Sequence, residues 1–101
     1  MASLGRVLIW GAGRIGRGFA ADLLDEAGYD LVFVDQAEAL VARLRERGAY
    51  TVVRTTGEVR EDRTIGGFEA LSTTEADAVA AALADADLAV VAVYPRDFAA
   101  V

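Results

Sequence analysis

The sequence has 101 residues, 54% of them hydrophobic, which is typical of a single globular domain with a buried core. Its net charge of −6, without a basic stripe, argues against nucleic acid as a partner. The chain has no cysteine and no histidine, which excludes disulfides, thiol nucleophiles, Cys/His zinc sites and an imidazole base. Its apolar runs are too short for a membrane span or a signal peptide, so we expect a cytoplasmic protein that contacts no membrane.

The most informative stretch of the chain is a glycine turn at residues 11–16. Four apolar residues at 7–10 predict a buried strand over 6–10 before it, and apolar residues at helical spacing over 15–27 predict a helix after it. In that context the spacing G-x-G-x-x-G is typical of dinucleotide binding, because the glycines permit a sharp turn, close approach of a pyrophosphate and close packing of helix on strand. The predicted cofactor-binding residues here are Gly11, Ala12, Gly13, Arg14, Ile15 and Gly16.

An acidic residue follows the next predicted strand, as this motif requires. Residues 31–34 form that strand, and Asp35 comes about 20 residues after the glycines, where a carboxylate accepts hydrogen bonds from the adenosine ribose. The same carboxylate repels the 2′-phosphate of NADP, and Gln36 supplies no compensating cation. We therefore predict NAD as the cofactor and Asp35 as its ribose ligand, in preference to a glycine turn that serves packing alone.

Beyond Asp35, alternating strands and helices predict an α/β fold. In chain order we predict a second helix that ends at Gly48 and a third strand over 50–54. An excursion over 55–67 that resembles a hairpin follows. A capping box from Ser72 to Glu75 then begins a third helix over 76–84, and the last predicted element is a fourth strand over 87–93. These elements predict a partial Rossmann-type, doubly wound parallel sheet of about four strands in the order 3-2-1-4. Residues 1–101 then form one NAD-binding domain, the N-terminal fragment of a longer fold.

The order of the strands also locates the site. Ligands bind where the strand order reverses, between the first and fourth strands, so Val93, Tyr94 and Pro95 are predicted to face the glycine turn and contact the cofactor. The fourth strand is apolar throughout after its first residue, which is typical of a strand covered on both faces. Its outer edge has no partner in a four-strand sheet, so we expect a homodimer or aggregation through that edge.

Several helical side chains have predicted structural roles. Phe19 is expected in the core, and Gly18 is expected to permit close packing, since a glycine inside a helix costs roughly 1 kcal/mol against alanine. Arg17 opposes the helix dipole, so we expect a phosphate or Asp22 to compensate its charge. A solvated face, rather than a metal site, is expected for Asp22, Asp25 and Glu26. In the third helix, the residues expected to face the core are Val79, Ala82 and Leu83.

The run from Gly11 to Phe19, in which Arg-Gly-Phe extends the glycine motif, resembles the polyol-specific long-chain dehydrogenases, above all the mannitol-1-phosphate 5-dehydrogenase branch. Further similarities lie at 33–35, at 50–52 with Gly57 after them, at 70–72 and in the pattern Ala92-Val93-x-Pro95, so the resemblance spans nearly the whole chain. It implies hydride transfer between NAD and a sugar alcohol or its phosphate, with D-mannitol 1-phosphate to fructose 6-phosphate as the type reaction. In family members a catalytic lysine and the other substrate residues lie in a helical C-terminal domain that has no counterpart here. The family usually has glycine where this chain has Tyr94.

The residues themselves indicate cofactor binding and not a complete reaction, because no histidine or lysine is present to accept a hydroxyl proton. The resemblance implies the cofactor-binding half of a polyol dehydrogenase, with no catalytic residue in this chain, and we expect that half to be inactive alone. The alternative is a stand-alone NAD(H)-binding sensor that passes its state to a partner. A reductase acting on a keto acid would share the same glycines.

Overall fold

The structure is a computed structural model, and it describes residues 3–13 and 16–92. The strands are β1 Arg6–Trp10, β2 Asp30–Asp35, β3 Ala49–Thr56, β4 Val59–Gly66, β5 Glu69–Ser72 and β6 Leu88–Val91. The helices are α1 Ala21–Ala27, which a π-helical turn over Gly16–Ala20 precedes, α2 Glu38–Arg47 and α3 Ala76–Asp85.

Four of the strands form a parallel sheet in the order β5-β2-β1-β6. Trp10, the last residue of β1, lies opposite Val34 of β2 and Val91 of β6, so the carboxyl ends of the strands meet at one edge. Counted within the sheet, this is the order 3-2-1-4, and the predicted Rossmann-type α/β fold is confirmed. Sheets of this kind bind their ligands at the edge where the carboxyl ends of the strands lie.

The third strand of this sheet is not the one that the sequence predicts. Residues 50–54 belong to β3, which pairs antiparallel with β4 in a separate hairpin, with Tyr50 opposite Ile65. The expected hairpin is therefore present, but it contains the predicted third strand. β5 takes the place beside β2, where Ala70 lies opposite Phe33. Because β5 has only four residues and leads directly into a capping sequence, its strand signal is too short to recognise.

Side chains cover the sheet on both faces. Residues of α1, α2 and the hairpin cover one face, and α3 covers the other. The buried residues on the first face include Val7, Ile9, Leu31, Phe33, Val41, Leu44 and Ile65, and those on the second are Leu8, Val32, Val34, Val79 and Ala82. Burial of both faces of β1 and β2 fixes the carboxyl ends of these strands, from which the glycine turn and Asp35 extend.

β6 departs from the prediction of a strand covered on both faces. Leu88 and Val91 are 47% and 52% exposed, because β6 is an edge strand that pairs only with β1 among the described residues.

In α3, Val79 and Ala82 are buried as predicted, whereas Leu83 is 46% exposed, so its assignment to the core is wrong. The reason is the position of α3, which packs against β1 and β5, so the face of the helix that carries Leu83 has no neighbouring element to cover it in the described part of the chain.

The ends of the helices follow the sequence closely. α1 ends at Gly28, directly after the predicted helix over 15–27, and α2 ends at Gly48 as predicted. These glycines adopt φ of +106° and +69°, and the Gly48 N–H donates to a carbonyl of the last turn at 2.9 Å. Before α3, the Glu75 carboxylate accepts from the Ser72 N–H at 3.0 Å, which confirms half of the predicted capping box. The other half is wrong, since the Ser72 hydroxyl accepts from the Thr74 N–H at 3.3 Å instead of the Glu75 N–H.

Candidate functional site

The glycine turn begins where β1 leaves the sheet. The Gly11 N–H donates to the Val34 carbonyl at 2.7 Å, and Gly11 has φ +111°, so the chain turns sharply while still bonded to β2. A Cβ on Gly16 would lie 1.9 Å from the Gly11 carbonyl oxygen and 3.5 Å from Ile9 Cγ2, so only glycine permits this packing. A Cβ on Gly13 would meet no atom of the described residues within 4 Å, which leaves the backbone there open to an approaching group.

Asp35 stands at the end of β2 and contacts the glycine turn directly. Its Oδ2 accepts a hydrogen bond from the Ala12 N–H at 2.7 Å, and its Oδ1 accepts one from the Ala37 N–H, also at 2.7 Å. The half-buried carboxylate thereby joins the turn after β1 to the start of α2. Each carboxylate oxygen has a second acceptor position, so the group can still accept hydrogen bonds from a pair of ligand hydroxyls.

The structure brings the predicted site residues that it describes to one edge of the sheet, namely Gly11, Ala12, Gly13, Gly16 and Asp35. The other predicted cofactor contacts lie outside the described residues; they are Arg14, Ile15, Val93, Tyr94 and Pro95. The sequence does not predict the two backbone hydrogen bonds of Asp35. The bond that Asp35 accepts from the N–H two residues later forms an Asx turn, and an aspartate shortly before a helix is the signal that could have indicated it.

The π-helical turn that follows the glycines contacts the hairpin. The Tyr50 hydroxyl of β3 donates to the Arg17 carbonyl at 3.0 Å, and the Tyr50 ring packs against Phe33 and Phe68 at centroid distances of 6.2 and 5.7 Å. Burial raises the pKa of Tyr50 well above its usual range, so the hydroxyl keeps its proton and remains a donor. The Arg17 Nε is buried without a hydrogen-bond partner among the described residues. Asp22, one of the two groups expected to compensate the charge of Arg17, pairs with other arginines.

Asp22 of α1 pairs instead with two arginines of the hairpin. Its Oδ2 accepts from Arg54 Nε at 2.6 Å and its Oδ1 accepts from Arg63 Nη1, and its side chain is only 7% exposed. Glu26 accepts from Arg54 at 2.6 Å and Asp25 accepts from Arg63 at 3.2 Å. The hydrogen bond from Arg54 lowers the pKa of Asp22, although burial opposes this shift. These five side chains form an ion-pair cluster that joins the hairpin to α1. The prediction of a solvated face is therefore wrong for Asp22 and Asp25, whereas Glu26 is exposed as well as paired.

Two residues of the π-helical turn contradict their predicted packing roles. Phe19 is 64% exposed, and an added Cβ on the exposed Gly18 would meet no atom of the described chain within 4 Å. A π-helical turn holds more residues than the 3.6 per turn that the apolar pattern assumes, so side chains after Gly16 rotate away from the predicted face. Phe19 and Leu23, which is 53% exposed, leave apolar surface immediately after the glycine turn.

The groups described at this site are polar and suit two kinds of ligand group. An open glycine backbone and a carboxylate suit phosphates and hydroxyls, respectively. The 101 residues contain neither histidine nor lysine, and over 3–13 and 16–92 no group of three side chains could hold a metal ion. Within the same ranges no helix is long and apolar enough to cross a membrane.

A parallel sheet with crossover helices, a glycine turn after β1 and an acidic residue that ends β2 define a Rossmann-type nucleotide-binding domain. The family model described as the mannitol dehydrogenase Rossmann domain matches residues 5–100, and the chain belongs to this family. The resemblance to polyol-specific dehydrogenases that the glycine motif carries is thereby confirmed, and the domain is of an oxidoreductase type.

Individual curated relatives agree with this assignment. The mannitol-1-phosphate 5-dehydrogenase of Geobacillus thermodenitrificans is 50% identical over 92 residues, which cover 90% of this chain and 24% of that protein. Proteins of the same name from Brevibacillus brevis and Aspergillus terreus are 46% and 39% identical, over 86% and 90% of this chain and 22% and 24% of theirs. The chain thus spans about a quarter of the length of these relatives, and they give no support to the alternative of a stand-alone sensor.

Proposed function

We propose that this chain binds NAD(H) and is the cofactor-binding domain of an enzyme that transfers hydride between NAD and a sugar alcohol phosphate. The observation that carries the proposal is the Asp35 carboxylate, hydrogen-bonded to the Ala12 N–H of the glycine turn at 2.7 Å. The contact supports the proposal because it brings the carboxylate, our proposed ribose acceptor, next to the glycine turn, our proposed pyrophosphate-binding segment, as the binding of a dinucleotide by this fold requires. The names of the curated relatives support the substrate class.

Discrimination between NAD and NADP follows from the charge at Asp35. A carboxylate accepts hydrogen bonds from two ribose hydroxyls but repels a 2′-phosphate. Gln36 follows it and is exposed, so the adjacent position supplies no arginine or lysine to neutralise that phosphate. We therefore propose NAD as the cofactor.

The contribution of this chain to the reaction is binding and orientation. NAD, when bound, supplies the acceptor for the hydride, and Asp35 and the glycine turn hold its adenosine half. We propose Arg14, Ile15, Val93, Tyr94 and Pro95 as further contacts, toward the pyrophosphate and the nicotinamide. The base that accepts the substrate hydroxyl proton and the groups that bind the polyol are then supplied by additional sequence, as the greater length of the relatives allows. A cytoplasmic location completes the proposal.

The proposal is tested by titration of the chain with NADH and NADPH. Trp10 is the only tryptophan and directly precedes Gly11, so a bound nicotinamide nucleotide quenches its emission. We expect NADH to bind and NADPH to bind more weakly. Asp35→Asn replaces the charged carboxylate, our proposed acceptor for the ribose hydroxyls, with a neutral amide. We therefore expect the Kd for NADH to rise by roughly tenfold or more, and the difference between the Kd values for NADH and NADPH to become smaller.

Asp30→Asn is the matched control, because Asp30 is exposed at the opposite end of the same strand β2. It should leave both dissociation constants unchanged. Equal effects of the two substitutions, or a wild-type chain that responds to neither nucleotide, would overturn the proposal. With sugar alcohol phosphates we expect no NADH formation by the 101-residue chain, and steady turnover would show that it carries its own catalytic base.

A further inference from the structure

The hairpin formed by β3 and β4 lies outside the parallel sheet, yet it is bonded to the segment that directly follows the glycine turn. One bond comes from Tyr50 at the start of β3, and a second set comes from the ion-pair cluster of Arg54, Arg63, Asp22, Asp25 and Glu26. These contacts have no part in the sheet or in the strand pairing of the hairpin, and they act on the helix start beside the proposed cofactor site.

The first contact reaches the glycine turn through a short chain of hydrogen bonds. The Tyr50 hydroxyl donates to the Arg17 carbonyl at 3.0 Å, and the Arg17 N–H donates to the Gly13 carbonyl at 2.9 Å. Packing against Phe33 and Phe68 fixes the Tyr50 ring, so the hydroxyl is held in place by the core. The position of the hairpin is thereby transmitted to the backbone of the turn.

The second contact holds the next helical turn. Asp22 has both carboxylate oxygens engaged, one by Arg54 and one by Arg63, and Arg63 Nη1 also donates to the Asp22 backbone carbonyl at 3.1 Å. Because the Asp22 side chain is almost fully buried, this arrangement cannot exchange freely with water. These bonds therefore tie α1 to both strands of the hairpin.

The segment between these contacts needs such support. It is a single π-helical turn that contains Gly16 and Gly18, and both π-helical geometry and glycine make a helix start intrinsically unstable. A turn that fluctuates must be ordered when a ligand binds, and ordering lowers affinity. Because the hairpin holds the π-helical turn, this segment is already ordered before the ligand binds.

We propose that Tyr50 and Asp22 are positioning residues, through which the hairpin holds the glycine turn in the geometry that binds the dinucleotide. The inference rests on the proposed function, since it names groups that regulate affinity at that same site. Neither side chain needs to touch the cofactor. Loss of the Tyr50 hydroxyl releases the Arg17 carbonyl. The π-helical turn over Gly16–Ala20 then becomes mobile, while the core beneath it remains folded.

The test compares Tyr50→Phe with Tyr29→Phe. Both substitutions remove one phenolic oxygen from a partly buried ring, but the Tyr29 hydroxyl makes no hydrogen bond within the described part of the chain. We expect Tyr50→Phe to raise the Kd for NADH by roughly threefold to tenfold, the equivalent of one net hydrogen bond, and Tyr29→Phe to leave it unchanged. Binding is measured by quenching of Trp10 emission under conditions in which both variants are fully folded.

Amide hydrogen exchange without ligand provides the second readout. Tyr50→Phe should speed exchange at residues 16–20 and leave the amides of β1 and β2 as protected as in the wild-type chain. A merely structural role would lower the unfolding midpoint without changing the Kd for NADH, and that result would overturn the inference while the proposed function stands. A wild-type chain that binds no NADH would overturn both, whereas unchanged exchange at 16–20 in Tyr50→Phe would overturn the inference alone.

Discussion

Gly16 is the residue at which both the fold and the proposed site depend on the absence of a single Cβ. Gly16→Ala would place a methyl group 1.9 Å from the Gly11 carbonyl oxygen, a backbone atom that cannot rotate away. The glycine turn must then shift off the end of β1. We expect a loss of roughly 1–3 kcal/mol in the free energy of unfolding, as for other overpacked sites, together with at least tenfold weaker NADH binding. Urea titration and Trp10 quenching measure the two effects.

Gly18→Ala is the control for this substitution, two residues further along the same turn. An added Cβ there meets no atom of the described residues within 4 Å, and Gly18 has no positive φ. Alanine should therefore leave stability unchanged or raise it by up to roughly 1 kcal/mol, since it stiffens a helical position. If both variants lose equal stability, close packing at Gly16 is not what the turn requires.

At this scale the sequence predicts backbone roles well and side-chain partners poorly. The roles of Gly11 in the sharp turn and of Gly16 in close packing follow from local spacing, because both residues act within one strand–turn–helix unit. The partners of Asp22 do not follow, since Arg54 and Arg63 lie 32 and 41 residues away along the chain in a hairpin whose docking no local pattern encodes. The assignment of Phe19 to the core is wrong for a different reason, because one π-helical turn breaks the 3.6-residue period of the apolar pattern.

Among the elements, the hairpin depends most on charge. Arg63→Gln removes the guanidinium that bridges the Asp22 and Asp25 carboxylates, and it leaves the nearly buried Asp22 with Arg54 alone. We expect a loss of roughly 2 kcal/mol in the free energy of unfolding, the range for a hydrogen bond to a charged group. Arg60→Gln, whose pair with Asp62 is exposed on the same hairpin, should cost less than about 0.5 kcal/mol. Urea unfolding at pH 7 distinguishes the two, and equal losses would contradict a role for the cluster.

The same cluster predicts a dependence on pH. The pKa of Asp22 lies below its ordinary value of 3.8 in the folded chain, chiefly because of the hydrogen bond from Arg54. A group with a lowered folded pKa stabilises the fold above the unfolded pKa and loses that contribution as pH falls through the folded value. The difference in unfolding free energy between the wild-type chain and Asp22→Asn should therefore be constant above about pH 5 and shrink below pH 3.8. A difference that does not change between pH 5 and pH 2 would contradict this assignment.

Element types were easier to predict than their places in the sheet. The helices are predicted from apolar spacing, Gly48 marks the end of α2, and β3 is a strand as its composition indicates. What composition cannot encode is the partner of a strand. Residues 50–54 pair with β4 through local antiparallel contacts, while the four residues of β5 take the sheet position through packing of Ala70 under α2.

For the whole molecule, the alternation of strands and helices is sufficient to predict a parallel sheet of order 3-2-1-4. Burial at the ends of the sheet cannot be predicted in the same way, because it depends on what lies beyond the outermost strands. β1 and β2 are buried on both faces as their sequences indicate, whereas β6 has an equally apolar sequence and remains exposed at an edge.

We propose that this edge of β6 pairs with a second copy of the chain. An edge strand presents unpaired N–H and C=O groups, and here it also carries Leu88 and Val91, which are about half exposed. Sedimentation should therefore show a dimer whose fraction rises with concentration. Val91→Lys places on the edge the residue that natural proteins use to block strand pairing, so it should shift the chain toward monomer.

Leu23→Lys provides the matched control for the edge. Leu23 is 53% exposed, like Val91 at 52%, but it lies on α1, where no strand can pair. Because both substitutions replace an equally exposed apolar side chain with the same charge, non-specific hydrophobic association would respond to both. Strand pairing at β6 would respond only to Val91→Lys. A wild-type chain that stays monomeric at high concentration would contradict pairing at this edge, and it would show that two half-exposed apolar residues in a four-residue strand are too few to hold two copies together.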